Sequence, residues 1–172
     1  MITAGSKLVA VKCYFLRHGL AVDAAEWSGS DFDRPLAPEG KKRMERAAKT
    51  LAALDVEIDV IITSPRLRAK QTAAIVAQRL KAENRVVEDA RLAGDFGPRA
   101  LAAILSEHPG ANEVMLVGHE PDMSRTAGAV IGGASLDFKP GSIACVSLPN
   151  PAAMSGELAW FVPPKILALG RK

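Results

Sequence analysis

Apolar residues recur along the chain in two alternating patterns, short continuous runs and longer stretches with a 3.6-residue period. Continuous apolar runs are typical of buried strands, and the longer period is typical of helices with one buried face. The runs predict six strands, at residues 9–16, 58–62, 85–88, 114–117, 143–148 and 158–162, with 85–88 the weakest. The periodic stretches predict four helices, at residues 39–54 and 67–80, around 101–105 and from 121 to about 131.

This order of elements predicts an α/β fold. Strands that alternate with helices are joined by right-handed crossovers, which give a three-layer α/β/α arrangement with a mostly parallel central sheet. The last two strands, joined by residues 149–156, are predicted to form a hairpin at one edge. A chain of 172 residues is long enough for one domain with a good core. We expect that domain to span residues 9–170, with residues 1–8 as a flexible N-terminal segment.

The balance of charges narrows the kinds of ligand. The chain has 22 Lys and Arg against 19 Asp and Glu, a net charge of +3, and no block of like charge is long enough for a nucleic-acid-binding arm. The basic residues between 41 and 49 fall at helical spacing opposite apolar ones, as on the solvated face of a helix. We therefore expect no nucleic-acid partner, and we expect the excess positive charge to serve an anionic ligand.

The two cysteines, Cys13 and Cys145, indicate the compartment. They stand in apolar strand-like runs and not in a Cys-x-x-Cys pair, which favours small core residues in a reducing environment over redox or metal chemistry. The N-terminal residues lack an apolar run of signal-peptide length, and no run is long enough to cross a bilayer. The sequence therefore predicts a cytoplasmic protein with no membrane partner.

Two of the predicted strands, the first and the fourth, lead directly into a histidine. The first runs into Arg17, His18 and Gly19, and the fourth runs into Gly118 and His119. Because ligands bind at the carboxyl ends of the strands in open α/β sheets, we expect both imidazoles at one site. Glycine at position 19 would let the backbone turn sharply or approach a ligand closely. A single Arg-His pair is more often structural, but the second histidine favours a functional site.

The second predicted strand leads into a helix start with two arginines, Arg66 and Arg68. Cations in the first helical turn oppose the macrodipole, and a bound anion would remove that penalty. Because the two arginines differ by two positions, we expect only one of them to reach the pocket. Ser64 could donate to a phosphate, or it could cap the helix ahead of Pro65 at the first helical position.

Three motifs resemble the histidine phosphatase superfamily, whose members have the phosphoglycerate mutase-like fold. They are Leu-Arg-His-Gly at 16–19, Ser-x-x-x-Arg-Ala-x-x-Thr at 64–72 and Val-Gly-His at 117–119, and both their order and their spacing match. The short length and the segments Asp-Arg-Pro-Leu at 33–36 and Gly-Ser-Ile-Ala at 141–144 are similar to SixA-type phosphohistidine phosphatases. The resemblance covers nearly the whole chain and implies a metal-independent phosphatase without a cofactor.

The resemblance also implies roles for single residues. His18 would be the nucleophile, while Arg17, Arg68 and His119 would hold the phosphoryl oxygens, since phosphoryl transfer needs fixed positive charge around an in-line nucleophile. We expect the two arginines to lower the pKa of His18, and we expect a backbone carbonyl to accept a hydrogen bond from its second nitrogen. The two imidazoles are expected to adopt different protonation states. Further substrate-binding residues are predicted at Gly19, Ser64, Arg66 and Arg34.

The lack of an obvious proton donor among the carboxylates favours one class of substrate. No carboxylate stands out as a proton donor, and Asp95, Glu120 and Asp122 are only candidates. A phosphohistidine has an imidazole leaving group that needs less protonation than an alkoxide, so we expect a phosphohistidine-containing signalling protein as partner and inorganic phosphate as product. Residues 23–33 are predicted either to fold over the substrate or to form a surface loop.

Three alternatives remain open. A metal hydrolase would use His18 and His119 with Asp122 or Glu120, but the nearby arginines would repel a divalent cation and no His-x-x-x-His spacing occurs. A non-catalytic phosphoprotein-binding module would not need His18. A phosphatase or mutase acting on small phosphate monoesters would use the same nucleophile, and only substrate profiling separates it from a phosphohistidine phosphatase.

Overall fold

The predicted strands form one sheet in a computed structural model of the chain, which describes residues 10–167 and residue 169. Its strands are β1 (Val11–Arg17), β2 (Val60–Thr63), β3 (Val86–Glu88), β4 (Glu113–Gly118), β5 (Ile143–Asn150) and β6 (Ser155–Val162). Its helices are α1 (Pro38–Ala53), α2 (Leu67–Leu80), α3 (Pro98–Glu107), α4 (Asp122–Val130) and the single turn α5 (Pro164–Leu167). The predicted strands and helices are confirmed, and α5 is an addition that the sequence pattern did not indicate.

The order of strands in the sheet is β3-β2-β4-β1-β5-β6. Strands β1 to β4 pair in parallel, whereas β5 is antiparallel to β1 and to β6, which confirms the predicted edge hairpin. Arg17 pairs with Gly118 and Thr63 pairs with Val117. The carboxyl ends of β1, β2 and β4 therefore lie level with one another at one edge of the sheet.

Each face of the sheet has its own core, because successive side chains of a strand point to opposite faces. In β1, Phe15 belongs to the cluster that includes Leu101 of α3 and Met123 of α4. Its neighbour Leu16 belongs to the opposite cluster, with Met44 of α1 and side chains of α2. Helices thus cover both faces, which confirms the three-layer α/β/α prediction and makes the sheet a rigid base for its carboxyl edge.

Both cysteines are buried core residues, as predicted. Cys13 and Cys145 are free thiols, and burial raises their pKa values to about 12 and about 11 respectively, so neither is a reactive thiolate.

None of the described helices is both long and apolar enough to cross a membrane. Residues 1–9, 168 and 170–172 lie outside the described residues, so the start of the first strand at Val9, the domain bounds 9–170 and the flexible segment 1–8 stay predictions.

Gly40, in the first turn of α1, packs directly against the backbone of Leu20. A Cβ atom at Gly40 would lie 2.0 Å from the Leu20 carbonyl oxygen, which already accepts a hydrogen bond from the Ala37 N–H at 3.0 Å. Helix propensity alone predicts that Gly40→Ala stabilises the protein by about 1 kcal/mol. We expect the opposite, a loss of about 2 kcal/mol or more in the free energy of unfolding in urea, because a backbone oxygen cannot move aside.

The matched control is Gly97→Ala, since no heavy atom lies within 4 Å of a Cβ at that position and the backbone there is extended, with φ of −151°. Its effect should stay within about 0.5 kcal/mol. A stabilised Gly40→Ala variant would contradict the close contact between α1 and the residues after His18.

Candidate active site

His18, Ser64 and His119 directly follow β1, β2 and β4, so the level strand ends bring them together. The two imidazole centroids are 5.0 Å apart, and both rings line a pocket of about 780 Å³. The arginines that line this pocket are Arg17, Arg34, Arg66, Arg68 and Arg125. The strand-end histidines and the predicted arginines therefore share one pocket.

The His18 ring is buried, and its hydrogen bonds fix the position of its proton. Its Nδ1 atom lies 2.7 Å from the carbonyl oxygen of Gly19, and since a carbonyl only accepts, Nδ1 carries the hydrogen. The Nε2 atom then holds the lone pair, and the Nε–H of Arg68 points to it at 3.3 Å. The predicted backbone carbonyl is thus confirmed as that of Gly19, and Nε2 is the nitrogen free to attack.

Gly19 is held in place by a hydrogen bond and by close packing. Its N–H donates to Oγ1 of Thr72 at 3.0 Å, and the Thr72 hydroxyl donates to the Arg68 carbonyl oxygen at 2.7 Å. A Cβ atom at Gly19 would lie 2.6 Å from Cγ of Met44, so only glycine fits this packing. The structure therefore gives Gly19 the task of orienting His18, while its predicted contact with substrate stays a prediction.

The two arginines of the second motif have different places. Arg68 is on α2, is buried and reaches His18, whereas Arg66 precedes the helix in extended conformation. The predicted position of Arg66 in the first helical turn is therefore wrong. Both arginines line the pocket, so the expectation that only one would reach it is also wrong: Arg66 reaches the rim from the residue before the helix. Arg17 completes the set, with Nη1 donating to the Phe138 carbonyl oxygen at 2.7 Å.

Ser64 contacts His119 and does not cap α2. Its Oγ lies 2.8 Å from Nε2 of His119 and accepts a weak bond from the Arg66 N–H at 3.3 Å. Among the described residues the buried hydroxyl has one further acceptor, Nε2, so we assign its hydrogen to that nitrogen and the His119 proton to Nδ1. This Nδ1 is buried without a hydrogen-bond partner in the described part of the chain, which leaves it as a donor for an anion.

The pKa values of both imidazoles are lowered, and burial is the main cause. Burial lowers the pKa of His18 to about 4, with smaller contributions from Arg68 and Arg17, while its bond to Gly19 opposes the shift. Burial, followed by the neighbouring His18 and Arg68, lowers the pKa of His119 to about 3. The predicted direction for His18 is confirmed, but the predicted difference in protonation state is wrong. Both rings are neutral, and they differ in which nitrogen is free.

The lowered pKa values of the two histidines can be checked by NMR titration. The Cε1–H signals of His18 and His119 should titrate near pH 4 and pH 3, against about 6.5 for an unperturbed histidine. In urea-unfolded protein both signals should return to the ordinary value, so the folded protein should lose stability as the pH falls from about 6.5 toward 4. A His18 midpoint above pH 6 in the folded protein would contradict the neutral nucleophile.

A second prediction concerns the tautomer of His119. Replacing Ser64 by alanine removes the hydroxyl that donates to Nε2, so we expect the ring to populate both tautomers and inorganic phosphate to bind about tenfold more weakly. The ¹⁵N chemical shifts of the His119 ring nitrogens measure the tautomer directly. Ser142→Ala is the control, because that serine is equally buried and its hydroxyl oxygen accepts from the Lys139 N–H. An unchanged His119 tautomer in Ser64→Ala would contradict the assignment.

Residues 23–33 reach the rim of the pocket through Asp31, which the sequence reasoning missed. Asp31 begins a short 3₁₀ turn, and its carboxylate bonds to Arg34, Arg66 and Arg68 at 2.9, 2.8 and 3.1 Å respectively. The available signal was an acidic residue three positions before Arg34, but the sequence does not indicate which distant arginines meet it. The two predicted substrate-binding arginines Arg34 and Arg66 thus have a protein partner.

The three candidate proton donors all line the pocket. The Glu120 carboxylate accepts from the Ser124 N–H and hydroxyl at 3.0 and 2.6 Å, and the Asp122 carboxylate accepts from the Phe96 N–H at 3.2 Å. Asp95 lies at the pocket wall with a left-handed backbone, φ of 62°. In the described part of the chain none of the three bonds to an imidazole.

The sequence of the chain is similar to those of known proteins. The family model of the histidine phosphatase superfamily (branch 1) matches residues 13–98. An uncharacterized protein of Picosynechococcus sp. is 37% identical over 126 residues, which are 72% of this chain and 74% of that protein. The phosphohistidine phosphatase SixA of Escherichia coli is 28% identical over 166 residues, which are 94% of this chain and 99% of that protein.

Solved structures give the same result for the fold. The protein histidine phosphatase SixA complexed with tungstate has a TM-score of 0.81 and 25% identity, covering 90% of this chain and 98% of that one. Phosphoglycerate mutase from Bacillus anthracis has a TM-score of 0.75 at 12% identity, over 96% and 99% of the two chains, which confirms the phosphoglycerate mutase-like fold. The chain therefore belongs to branch 1 of the histidine phosphatase superfamily, within its SixA-type group, and this membership supports phosphatase activity.

Proposed function

We propose that the protein is a metal-independent phosphatase that moves a phosphoryl group from a phosphohistidine side chain of a signalling protein to His18 and then to water. One observation carries the proposal. His18 is neutral, its proton is held on Nδ1 by the Gly19 carbonyl, and its Nε2 lone pair faces the guanidinium of Arg68. A nucleophile with a fixed lone pair beside fixed positive charge is what phosphoryl transfer requires.

In the first step, Nε2 of His18 forms a bond to phosphorus as the P–N bond of the substrate breaks. The electron pair leaves with the substrate imidazole, which takes up one proton from solvent. Arg17, Arg68 and the Nδ1–H of His119 are the donors for the phosphoryl oxygens, and Arg68 and His119 are buried, which strengthens such bonds. The proton of His18 stays on Nδ1, which donates to the Gly19 carbonyl oxygen, so the phosphorylated ring carries a positive charge.

In the second step, a water oxygen bonds to phosphorus and the P–Nε2 bond breaks. The electron pair returns to Nε2, one proton goes to solvent, and the products are inorganic phosphate and neutral His18. The positive charge on the phosphorylated ring makes it a good leaving group. No protein acid is needed in this step, because the departing imidazole is neutral once the electron pair has returned to Nε2.

Two further observations support the choice of substrate and the absence of a metal. The E. coli relative over 94% of the chain is a phosphohistidine phosphatase, and an imidazole leaves with less proton assistance than an alkoxide. Within residues 10–167 and residue 169, no three His, Cys, Asp or Glu side chains are grouped so that they could hold a metal ion. The buried free thiols of Cys13 and Cys145 fit the reducing cytoplasm that we propose as its location.

The test compares the turnover of a protein domain phosphorylated on histidine with that of a panel of aryl and sugar phosphate monoesters. We expect kcat/KM to be at least about tenfold higher for the phosphohistidine domain and to persist in excess chelator. Faster cleavage of the monoesters would identify a small-molecule phosphatase. Loss of activity with chelator would identify a metal enzyme, and tight binding without turnover would identify a phosphoprotein-binding module.

A further inference from the structure

We propose that Asp31 is a positioning residue, which holds the guanidinium of Arg68 so that its Nε–H faces the attacking nitrogen of His18. The proposal deepens the proposed phosphatase function and rests on it. Asp31 does not touch the reacting atoms in this arrangement, and it acts through Arg68.

Arg68 is held at three points along its guanidinium. Its Nη1 donates to the backbone oxygen of Asp31 at 2.6 Å, and its Nη2 donates to the Asp31 carboxylate at 3.1 Å. The third point is Nε, which donates to Nε2 of His18 at 3.3 Å. Because the Arg68 side chain is only 5% exposed, these bonds replace the water that an arginine normally has. Asp31 thus fixes the two Nη atoms of Arg68, and the Nε–H of Arg68 faces the nucleophile.

Asp31 is itself fixed by two other arginines. One carboxylate oxygen accepts from Nε of Arg34 at 2.9 Å, and the other accepts from Nη1 of Arg66 at 2.8 Å as well as from Arg68. The short turn that carries Asp31 is capped by the Ser30 hydroxyl, which accepts from the Phe32 N–H. A single carboxylate therefore bridges three guanidinium groups that would otherwise repel one another at the pocket rim.

The protonation state of the Asp31 carboxyl group also supports a positioning role. Partial burial on its own would raise the pKa of this carboxyl group, but its bonds to Arg34 and Arg68 outweigh burial and hold the pKa below the ordinary value. Asp31 is therefore a carboxylate at neutral pH and is not a proton donor to a leaving group. The Asp31 carboxylate holds the Arg68 side chain in one orientation. Arg68 can therefore exchange its hydrogen bond to His18 for one to a phosphoryl oxygen without rotating, and such a donor is preorganised for catalysis.

The experiment compares Asp31→Asn with Asp33→Asn. Both residues lie in the same 3₁₀ turn, and in the described structure the Asp33 carboxylate has no hydrogen bond or ion pair. We expect Asp31→Asn to lower kcat on the phosphohistidine domain by about 10- to 100-fold with KM changed less than about threefold, since a misplaced catalytic group affects the chemical step. Asp33→Asn should match the wild type.

Three readouts separate positioning from stability and from the proposed function. In an Arg68→Lys background, Asp31→Asn should have almost no further effect, because its action passes through Arg68. The ¹⁵N NMR signal of the Arg68 Nε–H should broaden or shift in Asp31→Asn and stay unchanged in Asp33→Asn. Inorganic phosphate, measured by calorimetry, should bind more weakly to Asp31→Asn.

The activities of the two variants decide whether Asp31 positions Arg68. An Asp31→Asn variant as active as the wild type overturns the proposal, and a more active one shows instead that Asp31 obstructs the pocket. Equal losses in both variants also overturn it, since they would mean that the turn and not the carboxylate matters. If the wild type turns over no phosphohistidine substrate while the NMR and phosphate-binding changes occur as expected, the proposed function fails and the positioning role of Asp31 stands.

Discussion

The His18→Ala variant should lose essentially all phosphatase activity, with kcat/KM falling by about 10⁴-fold or more. The reason is that the other buried imidazole of the described residues cannot replace it: Nε2 of His119 bonds to Ser64, and we assign the His119 proton to Nδ1, which has no partner among those residues. Rapid-quench mass spectrometry of the wild type should find an acid-labile phosphoryl group on residue 18 during turnover. The same experiment on His18→Ala should find none.

The control for this variant is His108→Ala. The chain has three histidines, and His108 follows the end of α3, away from the pocket lining. Its replacement should leave kcat/KM unchanged and leave the phosphorylation of His18 intact. Turnover by His18→Ala within tenfold of the wild type, or phosphate on another side chain of the wild type, would contradict covalent catalysis by His18.

The second large effect is expected for Arg68→Lys, which should reduce kcat by about 10²- to 10³-fold. Lysine keeps the charge but has no planar fork, so it cannot bond at once to His18 and to both oxygen acceptors of Asp31. The free energy of unfolding should fall only modestly, which urea titration checks. The measurement is single-turnover kinetics, because these report the phosphoryl transfer step and exclude product release.

Arg79→Lys is the matched control for the arginine fork. Arg79 lies near the end of the same helix and is exposed, so the substitution changes the same chemistry at a position far from the pocket. Arg79→Lys should be as active as the wild type. If Arg68→Lys stayed within about threefold of the wild type, a point charge would suffice at this position, and the proposed role of the guanidinium geometry would be wrong.

The arrangement of the strands was predictable because it depends on local patterns. Apolar runs of strand length and 3.6-residue periods mark each element by its own residues, and the handedness of crossovers then leaves few topologies. The prediction that two strand-end histidines meet required no more than this, and the register between β1 and β4 confirms it. The hairpin of β5 and β6 was predictable for the same reason.

The electrostatic details of the site were predicted only in part. The sequence places arginines beside His18, which gave the correct direction for its pKa, but burial is the larger cause. The expected difference in protonation between the two histidines failed because burial acts on both rings alike. The helix start was also misjudged: Ser64 bonds to His119, and the helix begins three residues after it. Residue types indicate charge, but depth below the surface follows from the packing of the whole fold.

The α/β architecture, the strand ends that carry the two histidines and the arginine motif that resembles the family all follow from local sequence patterns. Which nitrogen of each imidazole is free, and which carboxylate holds Arg68, depend on the folded structure. Those features join residues far apart in the chain: the numbers of Asp31 and Arg68 differ by 37, and those of Ser64 and His119 differ by 55. A hydrogen bond depends on the distance and angle between two atoms, and for such pairs both are set only when the sheet and its helices have packed.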